Sequence, residues 1–407
     1  MARILALSLC LAALCLAGCL SGTDPEETSR ISGGTVTIYS SLPRHGVSAQ
    51  AAAAAAAGQR LALADAGGRA GGLRVRFVRV DSTEPGDRLW NPGRVSANAK
   101  QASDDDTAIA YIGELDYGAS AVSVPITNDA GILQVSPGDG LTSLTRPPPG
   151  RPRAGPERYY PTGVRNFLRL VPNDLLQAET LVKRLRARGA RRPAVVFDNE
   201  IYGQELAGEL VVRARRDGPE PVASEEYRAR VDEIPDIARS LAEGHPDAVL
   251  YAGVAGPGTG RLLSAIDTRI PGAPVLATNG VLARDPSRPI PSAPATVEAL
   301  TPIRPAAALA PEGRRILRRV RATAGAAAAR PEAVYGYEAM RLVLDATAKA
   351  GPDRRRVIRR ALATRMRRSP LGEFAVRATG DVDRDEFAVW ALRDGRFEYE
   401  RMIKNAL

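Results

Sequence analysis

The stretch IGELDYGASAVSVPITNDAGILQVSP, residues 112–137, carries the pattern on which the fold prediction rests. An apolar strand ends near residue 112, a turn containing Gly118 and Ser120 follows, and a helical pattern leads into the short strand ILQVS. A strand end followed by a turn of small residues and a helix start presents free backbone amides at one point. Such a turn suits a nucleotide phosphate, a nucleophile or another small molecule.

Strands and helical patterns alternate on both sides of this stretch. Upstream, TVTIY and LRVRFVRVD are predicted strands around an Ala-rich helix that Gly67 and Gly68 end. Downstream, the alternation restarts at NFLRLV. Further helices are predicted over residues 91–103, 174–189, 203–216, 234–243 and 258–268. Strands that alternate with helices predict parallel sheets covered by helices, so we expect two α/β units.

The remaining segments are predicted to be a connection, a helix and a closing hairpin. The Pro- and Arg-rich residues 146–163 favour a solvated surface loop. AVYGYEAMRLVLDATAKAG, residues 333–351, is a strongly amphipathic helix, and the tail from EFAV onward alternates as strands. Within that tail GDVDRD is typical of a hairpin turn, and we predict no metal there.

The composition argues against nucleic acid as a partner. The 407 residues carry a net charge of +10, which would ordinarily raise that possibility. The 56 basic residues are almost all arginines, spread along the chain beside Ala, Pro and Gly, and this distribution indicates a coding bias. Aromatic content is only 5%, and no DNA- or RNA-binding signature is present.

The first residues are typical of an export signal. A short apolar run follows Arg3 and ends in LAGC at Cys19. This ending resembles the bacterial lipoprotein box, in which the cysteine is lipidated and becomes the mature N-terminus; the alternative is an ordinary signal-peptide cysteine. We predict a signal peptide over residues 1–18 and a lipidated tether over residues 19–34. The folded body is then extracytoplasmic and anchored to the cell membrane by Cys19.

The sequence shows no catalytic set. It has no GxxxxGK[ST] loop, and Ser120 lies in GASAV, which lacks the second glycine of a nucleophile elbow. His45 and His245 are far apart and have no suggestive neighbours for a zinc cluster or a triad. The 46 acidic residues leave a glycosidase-like carboxylate pair open. We predict no enzyme activity, no cofactor and no metal, and favour binding.

Several segments, in their order along the chain, resemble the type I periplasmic solute-binding proteins of the branched-chain amino acid (Leu/Ile/Val) class of ABC transporters. The opening stretch looks like that family's strand, ligand loop, helix and strand, ending in Ser136 and Pro137. The other segments are FLRLVPND, AVVFDNEIYGQELA, PDAVLYAG, VYGYEAMRLVLDA and SPLGEFAVRATGDVDRDEFAVWALRDGRF. The resemblance extends from about Thr35 to Met402.

This resemblance implies two doubly wound, Rossmann-like α/β lobes joined by three crossings, with a solute bound in the cleft between them and hinge closure around it. We place the crossings near residues 170, 302 and 371. The N-terminal lobe is then residues 35–170 plus 303–371, and the C-terminal lobe is residues 171–302 plus 372–407. A monomer is expected.

The site is expected at the carboxyl ends of the strands, where ligands of open α/β sheets lie. Candidate ligand-binding residues in the first lobe are Ser41, Leu42, Arg44, Asp116, Tyr117, Gly118, Ala119, Ser136, Gly138 and Asp139. Candidates in the second lobe are Tyr202, Val254 and Asn279.

The sequence departs from the family's pattern at the groups that hold an α-amino acid. The hydroxyl side chains that hold the carboxylate in amino acid binders correspond to Tyr117 and Gly140, and the acidic residue that holds the ammonium corresponds to Asn279. Tyr202 matches an aromatic wall, with a packing tyrosine as the alternative. The α-amino acid clamp is therefore incomplete.

The charge of the solute stays open at this point. Asp116 and Asp139 suit a cationic or hydroxylated solute, but either one also suits the cap of a helix or turn. Arg44 and His45 favour an anion.

The resemblance implies a lipoprotein that captures a small polar solute, such as an amino acid-like molecule, an amide or a related metabolite, and delivers it to an ABC permease. Two alternatives remain: a ligand-sensing partner of a membrane signalling protein with the same fold, and an exported enzyme.

Overall fold

The computed structural model describes residues 29–228, 230–282 and 297–405. The predicted export signal and Cys19 lie outside these ranges. Within them, no helix has the length and apolar character needed to cross a membrane.

The structure contains two sheets and the helices that cover them. The described strands are β1 Thr35–Leu42, β2 Arg69–Ala70, β3 Leu73–Asp81, β4 Ala108–Ile112, β5 Leu133–Ser136, β6 Phe167–Arg169, β7 Pro193–Asp198, β8 Ala223–Tyr227, β9 Ala248–Ala252, β10 Val275–Ala277, β11 Val297–Thr301, β12 Glu386–Arg393 and β13 Arg396–Lys404. The described α-helices are α1 Ala49–Asp65, α2 Pro92–Ser103, α3 Ser120–Asp129, α4 Asp174–Ala187, α5 Ile201–Asp217, α6 Ile234–Glu243, α7 Thr259–Arg269, α8 Pro311–Ala324, α9 Glu332–Ala350 and α10 Arg354–Leu362.

The first sheet has the strand order β2-β3-β1-β4-β5-β6 and is parallel except where β2 meets β3. Strand β1 pairs with β3 on one side and β4 on the other, so the winding direction reverses at β1. Helices α1, α8, α9 and α10 contribute to the large core on one face, where Ile38, Leu133, Val320 and Met340 meet. A smaller core around Tyr39, Ala99 and Tyr111 fills the other face.

The second sheet has the order β13-β12-β11-β10-β9-β7-β8. Its central strands are parallel, and β12 and β13 close one edge as an antiparallel hairpin. Helices α4 and α5 cover one face and α6 and α7 the other, each with its own core. The reversal lies at β7, between β8 and β9. The predicted fold of two doubly wound α/β lobes is confirmed.

The packing of the first lobe bears on two predicted boundaries. Ile31 is buried in the first-lobe core, and its amide donates to the Pro352 carbonyl at 2.7 Å. We therefore propose that the tether ends before Ile31 rather than at residue 34. Phe374 and Val382 belong to the same core. We propose that the third crossing lies after Val382 rather than near 371, because these apolar side chains are buried against the first sheet.

The prediction of a solvated loop at residues 146–163 is wrong for part of the segment. Tyr159 and Tyr160 are buried and pack with Leu144 and Phe167. The Tyr160 hydroxyl donates to the Leu144 carbonyl at 2.7 Å. This loop is a packed extension of the first lobe, since its two tyrosines supply a small core that its Pro and Arg content did not indicate.

Candidate functional site

A cavity of about 690 Å³ lies between the carboxyl ends of the two sheets. It lies beside the points at which β1 and β7 reverse the winding direction, where open α/β sheets bind ligands. Its volume is in the range usual for small-molecule sites. The residues that line it and enter the description below are Ser48, Trp90, Asp116, Tyr117, Gly138, Gly140, Asp174, Glu200, Ile201, Tyr202, Val254, Asn279, Arg330, Glu332, Trp390 and Phe397.

Glu114, in the loop after β4, faces the protein core. The Ser41 hydroxyl donates to Glu114 Oε2 at 2.8 Å, and the Tyr111 hydroxyl donates to Oε1 at 2.6 Å. Burial raises the pKa of Glu114 to about 8. The Ser136 hydroxyl donates to the Glu114 carbonyl at 2.7 Å. Ser41 and Ser136 therefore hold the loop after β4 in place and do not line the cavity.

Asp139 caps the start of α3. Its carboxylate accepts hydrogen bonds from the amides of Gly118 at 3.1 Å, Ser120 at 2.9 Å and Leu141 at 3.0 Å. The free amides expected at this turn are thus used by a side chain of the same lobe. Of the two interpretations open for Asp139, the structure supports the cap.

Two tyrosines form an aromatic wall across the two lobes. The rings of Tyr117 and Tyr202 meet edge to face, with centroids 4.8 Å apart and an interplanar angle of 81°. The Trp90 indole N–H donates to the Tyr117 carbonyl at 3.0 Å and fixes the loop that carries the wall. Tyr202 is 5% exposed and belongs to the second-lobe core. It is therefore both a wall residue and a packing residue.

Asn279 takes part in a polar network within the second lobe. The Tyr202 hydroxyl donates to Asn279 Oδ1 at 2.7 Å, and Gln177 Nε2 donates to the same oxygen at 2.9 Å. The Gly280 amide donates to the Tyr202 hydroxyl at 3.2 Å. The Asn279 amide oxygen is therefore already occupied by two neighbouring donors of the second lobe.

Two carboxylates line the cavity without a salt-bridge partner among the described residues. Burial raises the pKa of Asp116 to about 6, and the hydrogen bond with Ser48 only partly offsets that increase. Burial raises the pKa of Asp174 to about 7, against the opposing charge of Arg169. Asp116 Oδ2 and Asp174 Oδ2 are both buried with no hydrogen-bond partner in the described structure. Both residues line the cavity, and each therefore keeps one unsatisfied carboxylate oxygen in the cavity wall.

Gly140 leaves room for the Asp174 carboxylate. A Cβ atom built on Gly140 would lie 2.4 Å from Asp174 Oδ2, so a side chain at position 140 would require this carboxylate to move. The glycine therefore allows Asp174 its present position beside the loop after β5.

The other charged residues of the cavity wall are paired. Glu200, in the second lobe, forms an ion pair with Arg88 of the first lobe. Arg330 and Glu332 lie 3.7 Å apart, Nε to Oε2. A second ion pair between the lobes joins Arg151, in the loop of residues 146–163, to Glu205 of α5 through the two terminal guanidinium nitrogens, Nη1 and Nη2.

The predicted site residues divide into two groups. Those that line the cavity are Asp116, Tyr117, Gly138, Tyr202, Val254 and Asn279. Those that the structure places outside the lining are Ser41, Leu42, Arg44, Gly118, Ala119, Ser136 and Asp139. Leu42 packs in a core with alanines of α1, and Ala119 is fully buried. The Arg44 side chain is exposed, and its amide donates to Asp81 Oδ1 at 3.0 Å.

Sequence reasoning missed several wall residues. Trp90 follows β3 and immediately precedes the Asn91–Pro92 start of α2, so its place after a strand was a usable signal. Asp174 follows the Asn173 cap of α4, where an acid is ordinary in a first helical turn. Trp390 and Phe397 belong to the β12–β13 hairpin, far in sequence from the other wall residues.

Comparison with known proteins places this geometry in a family. A family described as periplasmic binding protein matches residues 35–393. A comparison with curated proteins gave no match.

Solved structures share the fold at low sequence identity. A leucine binding protein, LivK, from Thermotoga maritima has a TM-score of 0.70 at 19% identity, covering 91% of this chain and 99% of that one. A solute binding protein of an ABC transporter from Rhodopseudomonas palustris HaA2, in complex with p-hydroxybenzoic acid, has a TM-score of 0.72 at 18% identity, covering 91% and 97%. LivJ from Streptococcus pneumoniae, in complex with isoleucine, has a TM-score of 0.69 at 16% identity, covering 91% and 99%.

The family match covers most of the chain, and the two lobes with a cavity between them agree with it. The resemblance to the type I solute-binding proteins is thereby confirmed, and this chain belongs to the periplasmic binding protein family.

Proposed function

We propose that this protein is the lipid-anchored, extracytoplasmic solute-binding component of an ABC importer. It captures a small polar solute in the cavity between its lobes and delivers it to a permease, without chemical turnover. The observation that carries the proposal is the cavity itself, which both sheets line with the carboxyl ends of their strands. Binding there shifts the population toward a state in which the lobes enclose the solute.

Three features support this proposal. The relatives of known structure include binding proteins in complex with isoleucine and with p-hydroxybenzoic acid. The aromatic wall is shared by the two lobes, so a solute held against it touches both. The LAGC ending of the signal at Cys19 suits attachment of the mature chain to a membrane.

A thermal-shift screen of the mature protein tests solute capture. The library contains amino acids, amides, polyamines, aromatic acids and sugars. A ligand at 100 times its dissociation constant should add about 2.7 kcal/mol to the free energy of unfolding. Because the α-amino acid clamp is incomplete, leucine, isoleucine and valine should not give the largest shift. A library in which nothing raises the melting temperature would contradict solute capture.

Two variants locate the binding and the anchor. Trp90→Ala should reduce the shift given by the best ligand, because it removes part of the cavity wall. The matched control is Met366→Ala, at a residue that is 78% exposed, and it should leave the shift unchanged.

Cys19→Ala should move the protein from the membrane fraction to a soluble extracytoplasmic fraction. Retention of that variant on the membrane would contradict the proposed lipid anchor.

A further inference from the structure

The charged groups around the cavity do not balance. Glu200 is paired with Arg88, and Glu332 lies beside Arg330. Asp116 and Asp174 have no salt-bridge partner among the described residues, and each keeps one buried carboxylate oxygen without a hydrogen bond. The wall of the cavity therefore carries an excess of negative charge when both acids are ionised.

Asp174 is the more deeply buried of the two acids. It is only 3% exposed, yet it lines the cavity at the first turn of α4. The opposite charge that acts on its pKa is that of Arg169. The Arg169 guanidinium already has other partners, since its Nε donates to Asp381 Oδ1 at 2.9 Å and its Nη1 donates to two backbone carbonyls. A buried carboxylate without a partner is costly, and the cost falls when a cation pairs with it.

The neighbouring wall offers further acceptors and aromatic faces. The Tyr117 hydroxyl is buried without a hydrogen-bond partner in the described structure. Burial raises the pKa of the Tyr117 hydroxyl well above its usual value, and the negative charge of Asp174 raises it further. Trp90, Tyr117 and Tyr202 all line the cavity, and aromatic faces attract cations.

The two basic residues that favoured an anionic solute in the sequence lie outside the cavity lining. Arg44 and His45 are exposed and are not among the cavity residues. Their side of the loop faces Asp81, whose Oδ2 lies 3.8 Å from His45 Nε2. They therefore do not offset the two acids inside the cavity.

From this charge balance, and resting on the proposed function, we propose that the solute is an organic cation. Its ammonium or guanidinium group pairs with Asp174 and Asp116, and its apolar or aromatic body lies against Trp90, Tyr117 and Tyr202. An ammonium has donors and no acceptor, so it matches carboxylate and hydroxyl oxygens that lack donors. A carboxylate has only acceptors and would meet like charge.

The test uses matched probes that differ only in their polar group. One series is tyramine, tyrosol and 4-hydroxyphenylacetate; the other is cyclohexylmethylamine, cyclohexylmethanol and cyclohexanecarboxylate. Dissociation constants are measured by calorimetry at pH 7.5 on the mature protein. In at least one series, the amine should bind at least tenfold more tightly than its alcohol and its carboxylate. Equal affinities, a preference for the carboxylate or alcohol, or no binding by either amine overturns the cation assignment.

Charge-removing variants make the test specific to the two acids. Asp174→Asn should weaken binding of the amine at least tenfold and weaken binding of the alcohol of the same series much less, because only the amine loses a charge pair. Asp116→Asn, at a half-buried position, should weaken the amine in the same direction and serves if the first variant does not fold. The matched control is Asp236→Asn on the exposed side of α6, where Asp236 pairs with Arg239, and it should change neither affinity.

Failure of this proposal and failure of solute capture are distinguishable. If leucine or an aromatic acid raises the melting temperature and both amines do not, the protein still captures solutes and the cation assignment is wrong. If neither the six probes nor the broad library raises it, both proposals fall.

Discussion

At the scale of single residues, Arg169 connects the cavity wall to the far end of the chain. Its guanidinium is fully buried, donating from Nε to Asp381 Oδ1 at 2.9 Å and from Nη2 to Thr145 Oγ1 at 2.6 Å. Its Nη1 donates to the carbonyls of Asp139 at 3.0 Å and Leu141 at 2.9 Å. These bonds hold the loop after β5, which brings Gly138 and Gly140 to the cavity.

Replacing this arginine should cost more stability than any surface change. Arg169→Met leaves the Asp381 carboxylate buried without its main partner, so we expect a loss of about 3–5 kcal/mol in the free energy of unfolding. Urea titration followed by circular dichroism measures it. Arg239→Met, which removes an exposed ion pair on α6, should change the same quantity by about 0.5 kcal/mol or less. Equal effects of the two changes would contradict the role given to Arg169.

At the scale of elements, the pair α1 and α9 depends on two glycines. A Cβ on Gly58 would lie 1.8 Å from the Ala333 carbonyl oxygen, and a Cβ on Gly336 would lie 2.0 Å from the Ala55 carbonyl oxygen. The two helix backbones are therefore in direct contact. This contact is the reason that an Ala-rich helix with little side-chain bulk can form a tight core with its neighbour.

Adding one methyl group at this contact should separate the helices. We expect Gly336→Ala to destabilise the protein by about 1–3 kcal/mol, since the clash is with backbone and cannot be relieved by a rotamer change. The matched control is Gly208→Ala in α5, where the position is exposed and an added Cβ would meet nothing within 4 Å. That change should stabilise by about 0.4–1 kcal/mol. Chemical denaturation of both variants checks the difference in sign, and a neutral Gly336→Ala would contradict the close packing.

At the scale of the whole molecule, buried carboxyls make stability depend on pH. Burial raises the pKa of Glu114 to about 8, of Asp174 to about 7 and of Asp116 to about 6. In the unfolded chain these groups titrate near pH 4. Between about pH 5 and pH 8 the folded protein therefore holds more protons than the unfolded chain. Its free energy of unfolding must fall as the pH rises through this window.

We expect the ligand-free protein to melt at a lower temperature at pH 8 than at pH 5. Glu114→Gln should flatten this dependence, because the amide keeps partners in Ser41 and Tyr111 but cannot titrate. Glu243→Gln, at an exposed position on α6, is the control and should keep the full slope. A melting temperature that rises from pH 5 to pH 8 would contradict the raised pKa values.

The order of elements was predictable because periodicity is a local property. The predicted strand over residues 73–81 is Leu73–Asp81 in the structure, and the helix predicted over 234–243 is Ile234–Glu243. The position of the third crossing was harder to predict, because the apolar side chains of residues 372–382 fit either lobe by pattern. Only their packing, with Phe374 and Val382 in the first-lobe core, separates the two choices.

By itself, the amino-acid sequence predicted two doubly wound α/β units and the loops in which a site had to lie. Only the tertiary structure decided which polar groups of those loops face the cavity. Glu114 and Asp116 are two residues apart, yet one is held in the core and the other lines the cavity. Asp174 comes from a different strand–helix connection. The physical reason is that strand and helix patterns are local, whereas the direction of a loop side chain depends on partners that are distant in sequence.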